Sequence, residues 1–121
     1  MSLSLGIAVE KQVKQYLIEQ GLQFITNNYH SHSGEIDLIM MDGEYLVFVE
    51  VRSRGSTAFG TPAESVTFAK QKKIIKTALH YMTVTALLNK CPARFDVVAV
   101  GVKEQIDWIK NAFSADYFLR F

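Results

Sequence analysis

The chain has 121 residues, 49% hydrophobic and 21% charged, with a formal net charge of +1, which fits one globular domain over residues 1–121. A charge so near zero excludes a generic nucleic-acid coat, so any polyanion must be met by a local patch. A lone cysteine, Cys91, excludes an internal disulfide framework and fits a reducing, cytoplasmic setting, and no apolar run approaches a membrane span.

Residues 5–20 read as a helix. Val9, Val13, Tyr16 and Leu17 recur at helical spacing, and Gly21 suits the left-handed C-terminal position. Glu10 lies at the edge of that stripe. On pattern alone it is a surface acid paired with Lys14 one turn on. Residues 22–30 read as a first strand. His30 and His32 follow, and with no Cys or third His nearby to complete a zinc site they read as loop residues.

From Gly34 to Arg52 the chain reads G-E-I-D-L-I-M-M-D-G-E-Y-L-V-F-V-E-V-R. Two apolar runs flank Asp42-Gly43, a strong hairpin signal. With those as the turn residues, Met41 faces Glu44, Glu35 lies opposite Glu50, and Asp37 lies opposite Phe48. Asp37 and Glu50 are then diagonal neighbours. Alternation puts Glu35, Asp37, Glu50 and Arg52 on one face, and Ile36, Leu38, Val47, Val49 and Val51 on the other. The second face is continuous and apolar and demands a cover. The first gathers three acids within two strands, where like charges oppose pairing. Either Arg52 or a hard divalent cation such as Mg²⁺ would compensate. The plain alternative is a solvated face, and against it stands the apolar character of residues 47–51.

Residues 53–62 are a loop by composition. Phe59 within it would stack on a base or plug onto the body. Residues 63–82 read as a second helix, with an extension toward Asn89 left open. Ile74, Ala78, Tyr81 and Met82 form its buried stripe. Lys70, Lys72, Lys73 and Lys76 crowd its first half. Between Arg52 and Lys76, with Arg54 included, six bases stand against one acid, Glu64. Such a run is either a phosphate-backbone patch or a solvated helix face. Cys91-Pro92 breaks the chain. Residues 94–102 read as a buried strand, which the helix crossover makes parallel to the second strand of the hairpin. Residues 104–111 read as a last strand. The aromatic tail, residues 112–121, either covers the sheet or docks on a second subunit, leaving a homodimer open. The fold class is therefore α/β, with a mixed central sheet flanked by helices.

Asp37, a hairpin turn and Glu50-x-Arg52 at the end of a hydrophobic strand resemble the Asp … Glu-x-Lys motif of the restriction-endonuclease-like nuclease superfamily. Gly34-Glu35-Ile36-Asp37-Leu38-Ile39 with Phe48-Val49-Glu50-Val51-Arg52 resembles, more narrowly, the YraN-type family of small uncharacterised bacterial proteins. So do Gly60-Thr61-Pro62-Ala63-Glu64, Lys70-Gln71, Arg94-Phe95-Asp96-Val97-Val98 and Asn111-Ala112-Phe113. That family is related in fold to archaeal Holliday-junction resolvases, and the resemblance runs from Gly6 to Phe113.

The resemblance implies a resolvase-like sandwich and an Mg²⁺- or Mn²⁺-dependent endonuclease acting on branched, otherwise structured or damaged DNA. Asp37 and Glu50 would be its catalytic metal ligands, with Glu35 in support. It also recasts Glu10, because resolvase-like nucleases carry a metal-binding Glu on their first helix and Gly6-x-x-x-Glu10 matches that position. Val13 stands where the pattern usually has Ala. Arg52 takes the usual lysine position. It stays protonated, so it cannot be a general base, but it can orient water or stabilise pentacovalent charge. Gln71 carries over as a catalytic-site residue from the equivalent helix, while Arg54, Lys70, Lys72, Lys73 and Lys76 would contact DNA. Two other classes stand beside this one. One is a nuclease fold that binds nucleic acid without cleaving it. The other is a structural accessory protein whose carboxylates only pair with Arg52 and Arg54.

Overall fold

Alternation within the strands gives the sheet two apolar faces, and one helix covers each. The computed structural model describes residues 3–53 and 65–116, with side chains from Gly6 onward. The elements are α1 (Leu3–Glu19), β1 (Gln23–Ser31), β2 (Gly34–Asp42), β3 (Tyr45–Ser53), α2 (Phe68–Val84), β4 (Ala93–Val100) and β5 (Ile106–Phe113), with a 3-10 turn at Val102–Glu104. The five strands lie side by side in chain order. β3 and β4 pair in parallel, across the α2 crossover, and the other neighbours are antiparallel. The expected mixed sheet flanked by helices is what the chain forms. None of its described helices is long and apolar enough to cross a membrane.

On one face Val9, Val13 and Leu17 of α1 pack on Leu38, Met40, Val47, Val49, Val98 and Val100. On the other, Ile74, Ile75, Ala78, Tyr81 and Met82 of α2 pack on Ile39, Leu46, Phe48, Phe95 and Val97. Both helical stripes are those expected from the 3.6-residue period. α2 opens at Phe68 rather than at residue 63, because Thr67 caps it and accepts a hydrogen bond from the Lys70 amide. It stops at Val84, short of Asn89, since Ala86 and Asn89 both take a left-handed φ. Residues 54–64, with Arg54, Phe59 and Glu64, lie outside the described residues.

The hairpin differs from expectation in two ways. Asp42 pairs with Tyr45, so the turn residues are Gly43 and Glu44, not Asp42 and Gly43. Gly43 takes a φ of 60°, as the first residue of a type II′ turn does. Asp42 is held in the strand because its Oδ2 accepts from Arg94 Nη2 at 2.8 Å. The register therefore moves by two, and Phe48 pairs with Ile39 rather than standing opposite Asp37. Second, the β2–β3 ladder ends at Leu38–Val49. Past that point strict alternation fails. Ile36, expected beside Leu38 under α1, packs in the cluster under α2.

A buried polar knot ties the far side of the sheet together. Asp96 is wholly buried. Its carboxylate accepts from Arg94 Nε at 3.0 Å, Trp108 Nε1 at 2.9 Å and the Asn111 amide at 2.9 Å. Burial works against the Arg94 charge, but its hydrogen bonds to Asp96 and Asp42 more than offset this and raise its pKa.

A candidate metal and nucleic-acid site

Where the β2–β3 ladder ends, a side chain takes over from the backbone. Asp37 Oδ2 accepts a hydrogen bond from the Val51 amide at 2.8 Å. This draws the carboxylate between the two strands, beside Glu50, which is only 5% exposed. The Asp37 carboxyl is pushed up to about 8, chiefly by burial and then by the charge on Glu50. The Val51 hydrogen bond opposes the rise, while Glu10 and Glu35 add to it. Four carboxylates thus share one electrostatic neighbourhood with Asp37 at its centre, and a cation placed there would reverse the strain.

Asn28 connects the outer two. Its side-chain Nδ2 donates to Glu10 Oε1 at 3.0 Å and to Glu35 Oε1 at 3.2 Å. Its φ is 50°, a left-handed conformation rare for a residue inside a strand. Sequence reasoning missed this residue. The available signal was Asn27-Asn28 in mid-strand, since Asn is depleted in strands and enriched at positive φ. His30 Nε2 approaches Glu35 at 3.6 Å from the exposed side.

The basic side chains divide sharply. Lys70 Nζ sits 3.0 Å from Glu50 Oε1. Arg52 Nη1 is farther from the same oxygen, at 3.7 Å. Its Nε and Nη2 donate instead to the Ser65 hydroxyl at 3.2 Å and the Ser65 carbonyl at 3.0 Å. Gln71 Nε2 donates to the Val66 carbonyl at 3.1 Å, bracing the turn before α2 rather than entering the acidic cluster. A cleft of about 350 Å³ is lined by Glu35, Asp37, Glu50, Lys70, Lys73 and Thr67, among others. Lys72 and Lys76 are exposed on α2 outside that lining.

The donors are all carboxylate oxygens, the chemistry of a hard cation such as Mg²⁺ or Mn²⁺. Among the described residues no three His, Cys, Asp or Glu side chains converge into a ready coordination shell. The fit rests on the Asp37–Glu50 pair, because Mg²⁺ is commonly held by one or two carboxylates and completed by water and phosphate.

Residues 9–100 match the family described as "Uncharacterised protein family UPF0102". The chain belongs to this family. The YraN-type resemblance carried by the motifs is thereby borne out. A UPF0102 protein of Coxiella burnetii (strain RSA 331 / Henzerling II) is 47% identical over 117 residues, covering 97% of this chain and 98% of that protein. One from Legionella pneumophila subsp. pneumophila is 47% identical over 116 residues, with 95% and 98% covered. One from Saccharophagus degradans is 50% identical over 109 residues, with 90% and 92% covered. The UPF0102 match spans Glu10, Asn28, Asp37, Glu50, Arg52 and Lys70.

Proposed function

We propose that this UPF0102 protein is a divalent-metal-dependent endonuclease acting on branched, otherwise structured or damaged DNA. The observation that carries the reading is the cleft in which Asp37 and Glu50 face the lysines of α2. Carboxylates that need a cation thus share one wall system with bases suited to phosphate. Asp37 and Glu50 would hold Mg²⁺ or Mn²⁺, with Glu10 and Glu35 in support. When bound, the ion supplies Lewis-acid polarisation of the scissile phosphate and lowers the pKa of water.

The chain's own residues do the rest. Lys70 and Lys73 receive the phosphodiester inside the cleft, and Lys72 and Lys76 meet neighbouring phosphates along the strand. Asn28 keeps Glu10 and Glu35 turned toward Asp37. Arg52 and Gln71 fix the turn before α2 and so fix how closely Lys70 approaches Glu50. The test is a cleavage screen over four-way, flapped, single-stranded and duplex DNA with Mg²⁺ or Mn²⁺. Cleavage of a structured substrate, lost in Asp37→Asn and Glu50→Gln, is the expected result. Full activity in both variants would remove the chemistry from this cleft.

The lack of a ready three-ligand shell among the described residues favours a second reading, a nucleic-acid-binding module without hydrolysis. Salt-sensitive DNA binding without cleavage under any metal would select it.

A further inference from the structure

Sequence position puts Lys70 in a row with Lys72, Lys73 and Lys76, but its geometry separates it from them. It stands in the first turn of α2, with its amide fixed on the Thr67 hydroxyl at 3.2 Å. From there its Nζ reaches Glu50 at 3.0 Å, while its side chain stays 44% exposed and lines the cleft. Arg52, two residues after Glu50 in the position a sequence motif would favour, commits its Nε and Nη2 to Ser65. Among the described residues, the cation nearest the buried acid therefore comes from the crossover helix and not from the strand.

We propose that Lys70 is the catalytic cation of this cleft and Arg52 a positioning residue behind it, an inference that rests on the metal-dependent nuclease reading above. In the hydrolysis, the oxygen of water bonds to phosphorus as the bond to one sugar oxygen breaks. One proton of the water passes to solvent and the departing oxygen takes one up, leaving a phosphomonoester and a hydroxyl. Negative charge grows on the non-bridging oxygens, and a positioned cation on the wall of a partly enclosed cleft stabilises it. A compact ammonium on a flexible stem can pass from Glu50 to a phosphate in the same cleft. A guanidinium tied to Ser65 by two donors is poorly placed to do so.

The test uses the full chain and a labelled DNA substrate selected by the cleavage screen. Single-turnover rates at saturating DNA, DNA affinity in chelator, and the melting shift with Mg²⁺ are measured for Lys70→Ala, Lys70→Arg and Arg52→Gln. Lys70→Ala should lose about 100-fold or more in rate, the size expected for one aimed donor. It should keep the Mg²⁺ melting shift and lose less than about threefold in DNA affinity, of the order of one phosphate contact. Lys70→Arg should recover part of the rate, and Arg52→Gln should lose less than Lys70→Ala. If Lys70→Ala cleaves like the wild type, or its loss disappears at saturating DNA, Lys70 is only a patch lysine and the proposal falls. Loss of the Mg²⁺ shift in Lys70→Ala overturns it too, because the role would then be structural. A wild type that cleaves nothing overturns the nuclease reading itself, a result distinct from any of these.

Discussion

Asp37 holds its proton because the folded chain surrounds it with apolar burial and acids. Its pKa rises from 3.8 to about 8 on folding, so between those values the folded state keeps a proton that the unfolded chain has released. Stability conferred by that proton is greatest at low pH and declines as pH climbs toward 8. Denaturant unfolding in chelator from pH 5 to 8 should show wild-type stability falling relative to Asp37→Asn, with added Mg²⁺ reducing the fall. Parallel pH profiles for the two proteins would place Asp37 in an ordinary solvated site. Asn28 makes a second residue-level case. At its left-handed φ, Asn28→Val should cost about 1–3 kcal/mol. Asn28→Gly should keep the fold and shrink the Mg²⁺ melting shift, since Glu10 and Glu35 lose their shared donor. Equal stability for Val and Gly in urea titrations would contradict the backbone argument.

α2 does two things on its two sides, and they can be separated. Ile74, Ala78 and Met82 hold it to the sheet, while Lys72 and Lys73 are exposed, Lys73 at the cleft. Lys72→Ala with Lys73→Ala should leave stability within about 0.5 kcal/mol. It should weaken DNA binding across sequences and flatten the logarithmic salt slope by about one per lysine. An unchanged slope would make the row a solvated surface. The inner stripe of this helix was legible in the sequence because burial imposes a period that local residues alone reveal. So were the hairpin and the side of it on which Asp37 and Glu50 lie. The turn was misplaced because Asp42 is fixed by Arg94, which is distant in the chain. Asn28 was hidden because its conformation is not a strand conformation. The Lys70–Glu50 contact was hidden because it depends on where a crossover helix begins.

At the scale of the molecule, Asp96 joins β4 to β5 and, through Arg94, to the hairpin tip. Asp96→Ala would remove one of the two carboxylates that Arg94 pairs with among the described residues and should cost about 3–5 kcal/mol. Urea unfolding would measure it, and a loss below about 1 kcal/mol would mean Asp42 alone satisfies the guanidinium. The order of the strands has a further consequence, for the sequence of events in folding. β1, β2 and β3 form a meander of local pairings, whereas joining β3 to β4 requires closure across the α2 crossover. Non-local closure is the slower kind. Glu35, Asp37 and Glu50 all belong to the local unit, and Lys70 arrives with the crossover. During refolding the hairpin should therefore assemble its acids before their lysine is present. Pulsed hydrogen exchange should then show β2 and β3 amides protected ahead of α2, and simultaneous protection would reject this order.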